Sequence, residues 1–202
     1  VASQKRGSDI VIGLSAVVIA VTAGEPRVLT VDRPPGDKGA RRGTESTAAL
    51  PAGPFDPRGH RTLELGLRSW VGEQTRLPLG YVEQLYTFAD LGRESGARDS
   101  AARLVSIGYL ALTREAAAGS DGGAHWQNWY RYFPWEDGRR GRHAIVASLI
   151  EPRLADWAAS TRNPEERSHR EQRIRATFGL APVRWDEERV LERYELLYEA
   201  GL

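Results

Sequence analysis

Val, Ile and Leu crowd two early stretches, residues 10–22 and 27–33, and this pattern predicts a pair of strands. Gly24, Glu25 and Pro26 supply turn residues for a tight connection between them, and the run Val17–Val21 offers core. From Pro34 to Ala49 the Pro, Gly and charged residues predict an exposed, mobile loop. The next apolar pattern is helical. Leu63, Leu67, Trp70 and Val71 fall at i, i+4, i+7 and i+8, one face to set against a sheet. Glu64 and Arg68 stand one turn apart on another face, as a surface ion pair does. Residues 79–88 and 103–113 predict two further strands, with a long loop of Gly, Ser, Arg and Asp between them.

The C-terminal third turns helical. Ile145, Leu149, Leu154 and Trp157 predict a helix over 142–158 with a kink or break at Pro152. Asn163 as cap, Pro164 at the first helical position, Glu165 and Glu166 in the first turn and Gly179 after Phe178 bound another. Asp186 opens a last one, whose Val190, Leu191, Tyr194, Leu197 and Tyr198 form a stripe at helical spacing with nothing left in the sequence to cover it.

Composition narrows the function classes. At 202 residues the chain could form one large domain or a domain of about 150 residues with an appendage, and its 41% apolar content lies below the usual range. No cysteine is present, which excludes a disulfide framework, a Cys-based zinc site and a thiol nucleophile, and is compatible with a cytoplasmic protein. The stretch Ile10–Val21, interrupted by Gly13 and Ser15, falls short of the roughly 18 apolar residues of a membrane span, so no membrane partner is expected. With 28 basic against 27 acidic residues the net charge is +1, far from the basic stripe of a self-sufficient DNA-binding module. The four histidines are scattered without metal-ligand spacing, and Gly36–Gly43 lacks the Lys-Ser/Thr ending of a P-loop. The chain holds no methionine and begins at Val1, as a sequence with residues missing would, so exact spacings are read to within one residue.

The segment Leu63–Leu77, LELGLRSWVGEQTRL, resembles a degenerate Nudix box, whose working form is G-x5-E-x7-R-E-U-x-E-E-x-G-U with U a bulky apolar residue. If Gln74-Thr75-Arg76-Leu77 is laid on the E-x-G-U ending, Glu73 and Gln74 take the paired-glutamate positions, while Ser69 and Trp70 replace Arg-Glu. Shifted by one residue, Arg68 and Ser69 take the Arg-Glu positions and Gly72 and Glu73 the pair. Either register keeps a single carboxylate. The flanks carry the resemblance further: Leu50-Pro51-Ala52-Gly53 is similar to the L-P-G-G before the box, and Tyr81–Phe88 and Arg103–Leu112 to the strands after it. Tyr132–Asp137 is similar to the W-F-P-x-D-E element of ADP-ribose pyrophosphatases and their regulatory relatives. Over residues 9 to 158 the chain most resembles the Nudix-related transcriptional regulators of NAD metabolism.

That resemblance implies an α/β fold: a Nudix-like α/β/α sandwich with a mixed sheet over 1–158, a helical linker over 159–180, and over 181–202 the opening helix of a truncated winged helix. It implies a domain that senses ADP-ribose or a related NAD metabolite in a homodimeric regulator, with DNA contacted through a C-terminal region mostly beyond Leu202. An active Nudix hydrolase of ADP-ribose-like substrates is the alternative, and a protein-interaction scaffold the third reading. No cofactor is expected, with Mg²⁺ relevant only if hydrolysis persists, held weakly at Glu73.

Hydrolysis of a diphosphate needs metal-bound oxygen and a proton acceptor, so carboxylates must be concentrated on one helical face. Glu73 is the vestigial candidate there, with Glu64 and Glu83 as possible compensators. For ligand binding, Arg33 at a strand end suits a diphosphate. Gln84, with both amide donor and acceptor, suits an adenine or ribose edge. It lies between aromatics, Tyr81 before it and Tyr86 and Phe88 after it, a set that at first sight alternates against Val82 and Leu85. Trp126, Trp129, Tyr130, Tyr132, Phe133 and Trp135 form a dense aromatic group expected at a dimer or interdomain surface.

Overall fold

The computed structural model describes residues 10–33, 47–89, 103–115 and 123–202. Of the loop expected over 34–49, residues 34–46 lie outside them, while 47–49 form a strand; residues 90–102 of the second expected loop also lie outside. The chain divides into two compact units, residues 1–129 and 130–202. The 158/159 boundary read from the sequence falls inside the second unit.

The first unit is built on a mixed sheet. Its strands are β1 (Ile10–Thr22), β2 (Glu25–Arg33), β3 (Thr47–Ala49), β4 (Ala52–Pro54), β5 (Tyr81–Phe88), β6 (Arg103–Leu112) and β7 (Ala124–Asn128). The order is β3-β2-β1-β6-β5, with β4 paired to β1 and β7 to β2. β1 and β6 run parallel from Ile10↔Arg103 to Ile19↔Leu112, and every other pairing is antiparallel. The β1–β2 turn is Ala23-Gly24, one residue earlier than the sequence suggests. Both of its residues have positive φ, 51° and 77°, as a two-residue hairpin matched to strand twist requires.

Period-two alternation gives the sheet two unequal faces. Leu14, Ala16 and Val18 share one face with Ile107, Tyr109 and Ala111, and all six are buried. Helix α1 (Leu63–Thr75) covers this face, placing Leu67 and Val71 in the same core. Thr62 caps α1 by accepting the Leu65 N–H. Arg76 ends it in the left-handed region at φ 58°, its N–H returning to Gly72 O.

The second unit is helical: α2 (Glu151–Ala159), α3 (Pro164–Phe178) and α4 (Val190–Glu199). Pro152 does not break its helix. A π-type turn over Val146–Ile150 leads straight into α2, with the Glu151 N–H bonded to Val146 O. Asn163 caps α3 through Glu165 N and Glu166 N, and Gly179 closes it at φ 56°. Val146, Ile150, Leu154, Ile174, Phe178, Leu196 and Leu197 form one core. Arg193 lies within it, wholly buried. Its Nε and Nη2 reach the two Glu136 carboxylate oxygens at 2.7 Å each, its Nη1 reaches Asp186 O at 2.8 Å, and its guanidinium stacks 4.0 Å from the Trp185 ring centre. Val190, Leu191, Tyr194 and Tyr198 stay exposed, as the uncovered stripe predicts, whereas Leu197 turns inward.

The aromatic group is divided. Trp126 packs against the core of the first unit and Trp135 against that of the second, with Phe133 edge-on to Trp135. Its density in the sequence reflects two cores drawing on adjacent segments. No helix among the described residues is long and apolar enough to cross a membrane.

Candidate functional site

The backbone selects between the two box registers. The box glycine is expected where the helix terminates in the left-handed region, and the residue there is Arg76; the bulky positions around it, Val71 and Leu77, are both buried. The shifted register would put Thr75, a helical and buried residue, on the glycine and exposed Arg76 on the apolar position. If the resemblance to the box is followed, Ser69 and Trp70 fall on Arg-Glu, and Glu73 and Gln74 on the glutamate pair.

Positions 70, 73 and 74 lie at i, i+3 and i+4, so they share the face on which a working box concentrates its carboxylates. Here that face is used for packing. The Trp70 ring lies over Gly53 so closely that a Cβ built there would sit 2.3 Å from its carbons, and its indole N–H donates to Pro54 O at 2.8 Å. Gln74 makes a reciprocal amide pair with Ala52, accepting from its N–H at 3.1 Å and donating to its carbonyl at 2.8 Å. Only Glu73 keeps a carboxylate, exposed and accepting from the Ser69 hydroxyl at 2.8 Å. Mg²⁺ requires several hard oxygen donors in octahedral array. An indole, a committed amide and one carboxylate do not fit it, and no three His, Asp or Glu side chains gather as metal ligands among the described residues.

The amide pair gives a test. Gln74→Glu restores the box residue but loses the donor to Ala52 O and sets a carboxylate against that carbonyl. It is expected to cost roughly 1–3 kcal/mol, read as a lowered midpoint in urea denaturation. An unchanged midpoint would show that the Gln74–Ala52 pair holds nothing.

From another flank α1 reaches the segment that leads into β5. Arg68 binds Glu64 at 2.8 Å and also donates to the carbonyls of Leu79 and Gly80, so the surface pair read from the sequence also anchors the approach to β5. A β-bulge at Leu85 changes the phase of β5. Tyr81, Glu83, Tyr86 and Phe88 pair with Leu112, Leu110, Gly108 and Ser106 on the face away from α1. Val82, Gln84 and Thr87 pair with Ala111, Tyr109 and Ile107 on the α1 face. Glu83 is thus on the wrong side to compensate for lost box carboxylates; it accepts from the Tyr81 hydroxyl at 2.6 Å, and that bond first, then its charge, raises the Tyr81 pKa.

The five residues singled out for ligand binding do not converge. Glu73 is on the solvent side of α1 and Gln84 on the α1 face of the sheet. Tyr86 and Phe88 pack on each other, ring centres 4.8 Å apart, on the opposite sheet face. Arg33 ends β2, opposite Thr47 of β3. Sequence reading missed Trp70 as the filler of the box face and Tyr109 beside Gln84. The small Gly53 opposite a Trp was the available signal for the first.

No family model matches the chain, and no curated protein matches it. Among solved structures it is similar to the Nudix domain of Shewanella oneidensis NrtR complexed with ADP-ribose, at 20% identity over 61% of this chain and 75% of that one, TM-score 0.46. The longer NrtR structure from that organism gives 19% identity over 91% and 83%, TM-score 0.47. A MutT/Nudix family protein from Enterococcus faecalis gives 23% over 63% and 47%, also 0.47. The architecture of the chain is a mixed α/β sheet with α1 on one face, and C-terminal helices after it.

Proposed function

We propose that this chain is the ligand-sensing, non-catalytic part of a dimeric transcriptional regulator of NAD metabolism, and that its ligand is ADP-ribose or a related metabolite. The observation that carries the non-catalytic reading is the box face itself, where Trp70 on Gly53 and Gln74 on Ala52 occupy the places of metal-holding glutamates. The ligand class and the regulatory role follow from the sequence landmarks around the box. On this reading α4 is a supporting helix of the DNA-binding module. Its exposed side carries Val190, Leu191, Tyr194 and Tyr198 beside Glu188, Glu192 and Glu195, a surface that disfavours phosphate.

Titration calorimetry with ADP-ribose, in Mg²⁺ and then in EDTA, tests the proposal. Saturable binding of equal affinity in both is expected, because no carboxylate cluster among the described residues would link the ligand to a metal. Absence of binding, or binding that requires Mg²⁺, would contradict it.

A further inference from the structure

Helix α4 turns one side into the core of the C-terminal unit and leaves another uncovered. Arg193, Leu196 and Leu197 are buried, whereas Leu191, Tyr194 and Tyr198 are 64%, 52% and 78% exposed, with Val190 exposed beside them. Leu191, Tyr194 and Tyr198 fall at i, i+3 and i+7, so they form one apolar line along the helix. Glu192, Glu195 and Glu199 each follow a member of that line, and the same spacing makes them a parallel row on its flank, with Glu188 in the turn that leads into α4. All four are exposed. Glu199 is paired with Arg173 of α3, while Glu188, Glu192 and Glu195 have no cationic partner among the described residues. The other flank of the line runs through Val190 to buried Leu197 and offers no cation of α4, since Arg193 is turned inward onto Glu136.

An apolar line with a row of carboxylates along one flank specifies the chemistry of what covers it. The row repels phosphate, whether on DNA or on an anionic bilayer. A second copy brings the wrong charges. Two antiparallel α4 helices related by a two-fold axis would set both glutamate rows on the same side of the contact, and two parallel ones would set each row against the partner's apolar flank. An amphipathic helix with apolar residues at the same spacing and Lys or Arg along one flank satisfies both features, covering Leu191, Tyr194 and Tyr198 while pairing the glutamates. We propose that this face of α4 is a docking surface for a basic amphipathic helix of a partner protein. The surface goes beyond the ligand-sensing role and does not rest on it.

The experiment titrates the whole chain into two fluorescein-labelled peptides of about 18 residues, long enough to be helical when bound, and follows their anisotropy. The peptides share leucines at i, i+3 and i+7 and differ only in carrying Arg or Glu along the flanks. Two double variants accompany the wild type, Leu191→Ser with Tyr198→Ser and Glu192→Arg with Glu195→Arg; all four positions are exposed, so both are expected to keep the wild-type melting temperature. The Arg peptide is expected to bind saturably and at least about tenfold more tightly than the Glu peptide. The serine variant is expected to lose at least about tenfold of that affinity, and the charge-reversed variant to prefer the Glu peptide. Failure of the Arg peptide to bind, equal affinity for the two peptides, or a preference that survives charge reversal overturns the proposal. Binding of duplex DNA or of phosphatidylserine vesicles that the serine variant abolishes also overturns it, as does a dimer in light scattering that the serine variant dissociates, because each assigns the face to a different occupant.

Discussion

Arg193→Ala is expected to destabilise the C-terminal unit by roughly 3–5 kcal/mol, the usual cost of removing one partner from a buried ion pair. For a domain of this size that lowers the melting temperature by roughly 15–30 °C. The cost arises because Glu136 would keep its charge in the interior without the two 2.7 Å bonds that Arg193 supplies, while the carbonyls of Thr177 and Asp186 would lose their donor. The Trp185 ring would lose its cationic neighbour at 4.0 Å as well. Arg167→Ala serves as the control, since its pair with Glu171 is an exposed i, i+4 contact on α3 worth well under about 1 kcal/mol. Thermal melts by circular dichroism, with amide exchange at Leu154 and Leu196 to localise the loss, measure both. Two variants that melt within a few degrees of each other would show that the Arg193–Glu136 pair does not hold the helices together. Replacing both partners with apolar residues should recover much of the loss, because the unpaired charge disappears along with the pair.

The elements that were legible in the sequence are those fixed by local chemistry. The Asn163 cap, Pro164 at the helix start, Gly179 at its end and Asp186 before the last helix each act on the backbone within a few residues, and each is found in its expected role. The same holds for Leu63, Leu67 and Val71, whose spacing alone sets them against a sheet. What remained illegible depends on backbone states that residue types do not announce. Arg76 adopts the left-handed conformation that glycine favours, so the register of the box cannot be read from composition. Residues 81 and 86 are separated by an odd interval, and simple alternation puts their side chains on opposite faces. The bulge at Leu85 returns them to the same one, and with it places Tyr86 and Phe88 away from Gln84. Arg193 is the strongest case: in sequence it is a charge beside an apolar stripe, and only its distant partner Glu136 makes it part of the core.

The box shows the same contrast. Through the resemblance it was legible that two of a working box's glutamates have no counterpart here, but the contacts made at those positions were not. Trp70 needs Gly53, and Gln74 needs the backbone of Ala52, contacts between segments about 20 residues apart. The consequence for chemistry is large. Removing about 4 kcal/mol of transition-state stabilisation slows a reaction roughly a thousandfold, and on the proposed reading this face lacks two of the carboxylates of a working box. Glu83 does not restore them, since it points from the other side of the sheet, and Glu64 is held by Arg68 on the other flank of α1.

Turnover of ADP-ribose tests this account most directly. The purified chain is incubated with ADP-ribose and Mg²⁺ at neutral pH, and the phosphorus NMR spectrum is followed over hours beside an active Nudix hydrolase as standard. The diphosphate signals are expected to persist, with a rate at least a thousandfold below the standard. Steady conversion of ADP-ribose and water to AMP and ribose 5-phosphate, abolished by Glu73→Gln, would contradict the account and make this chain an enzyme.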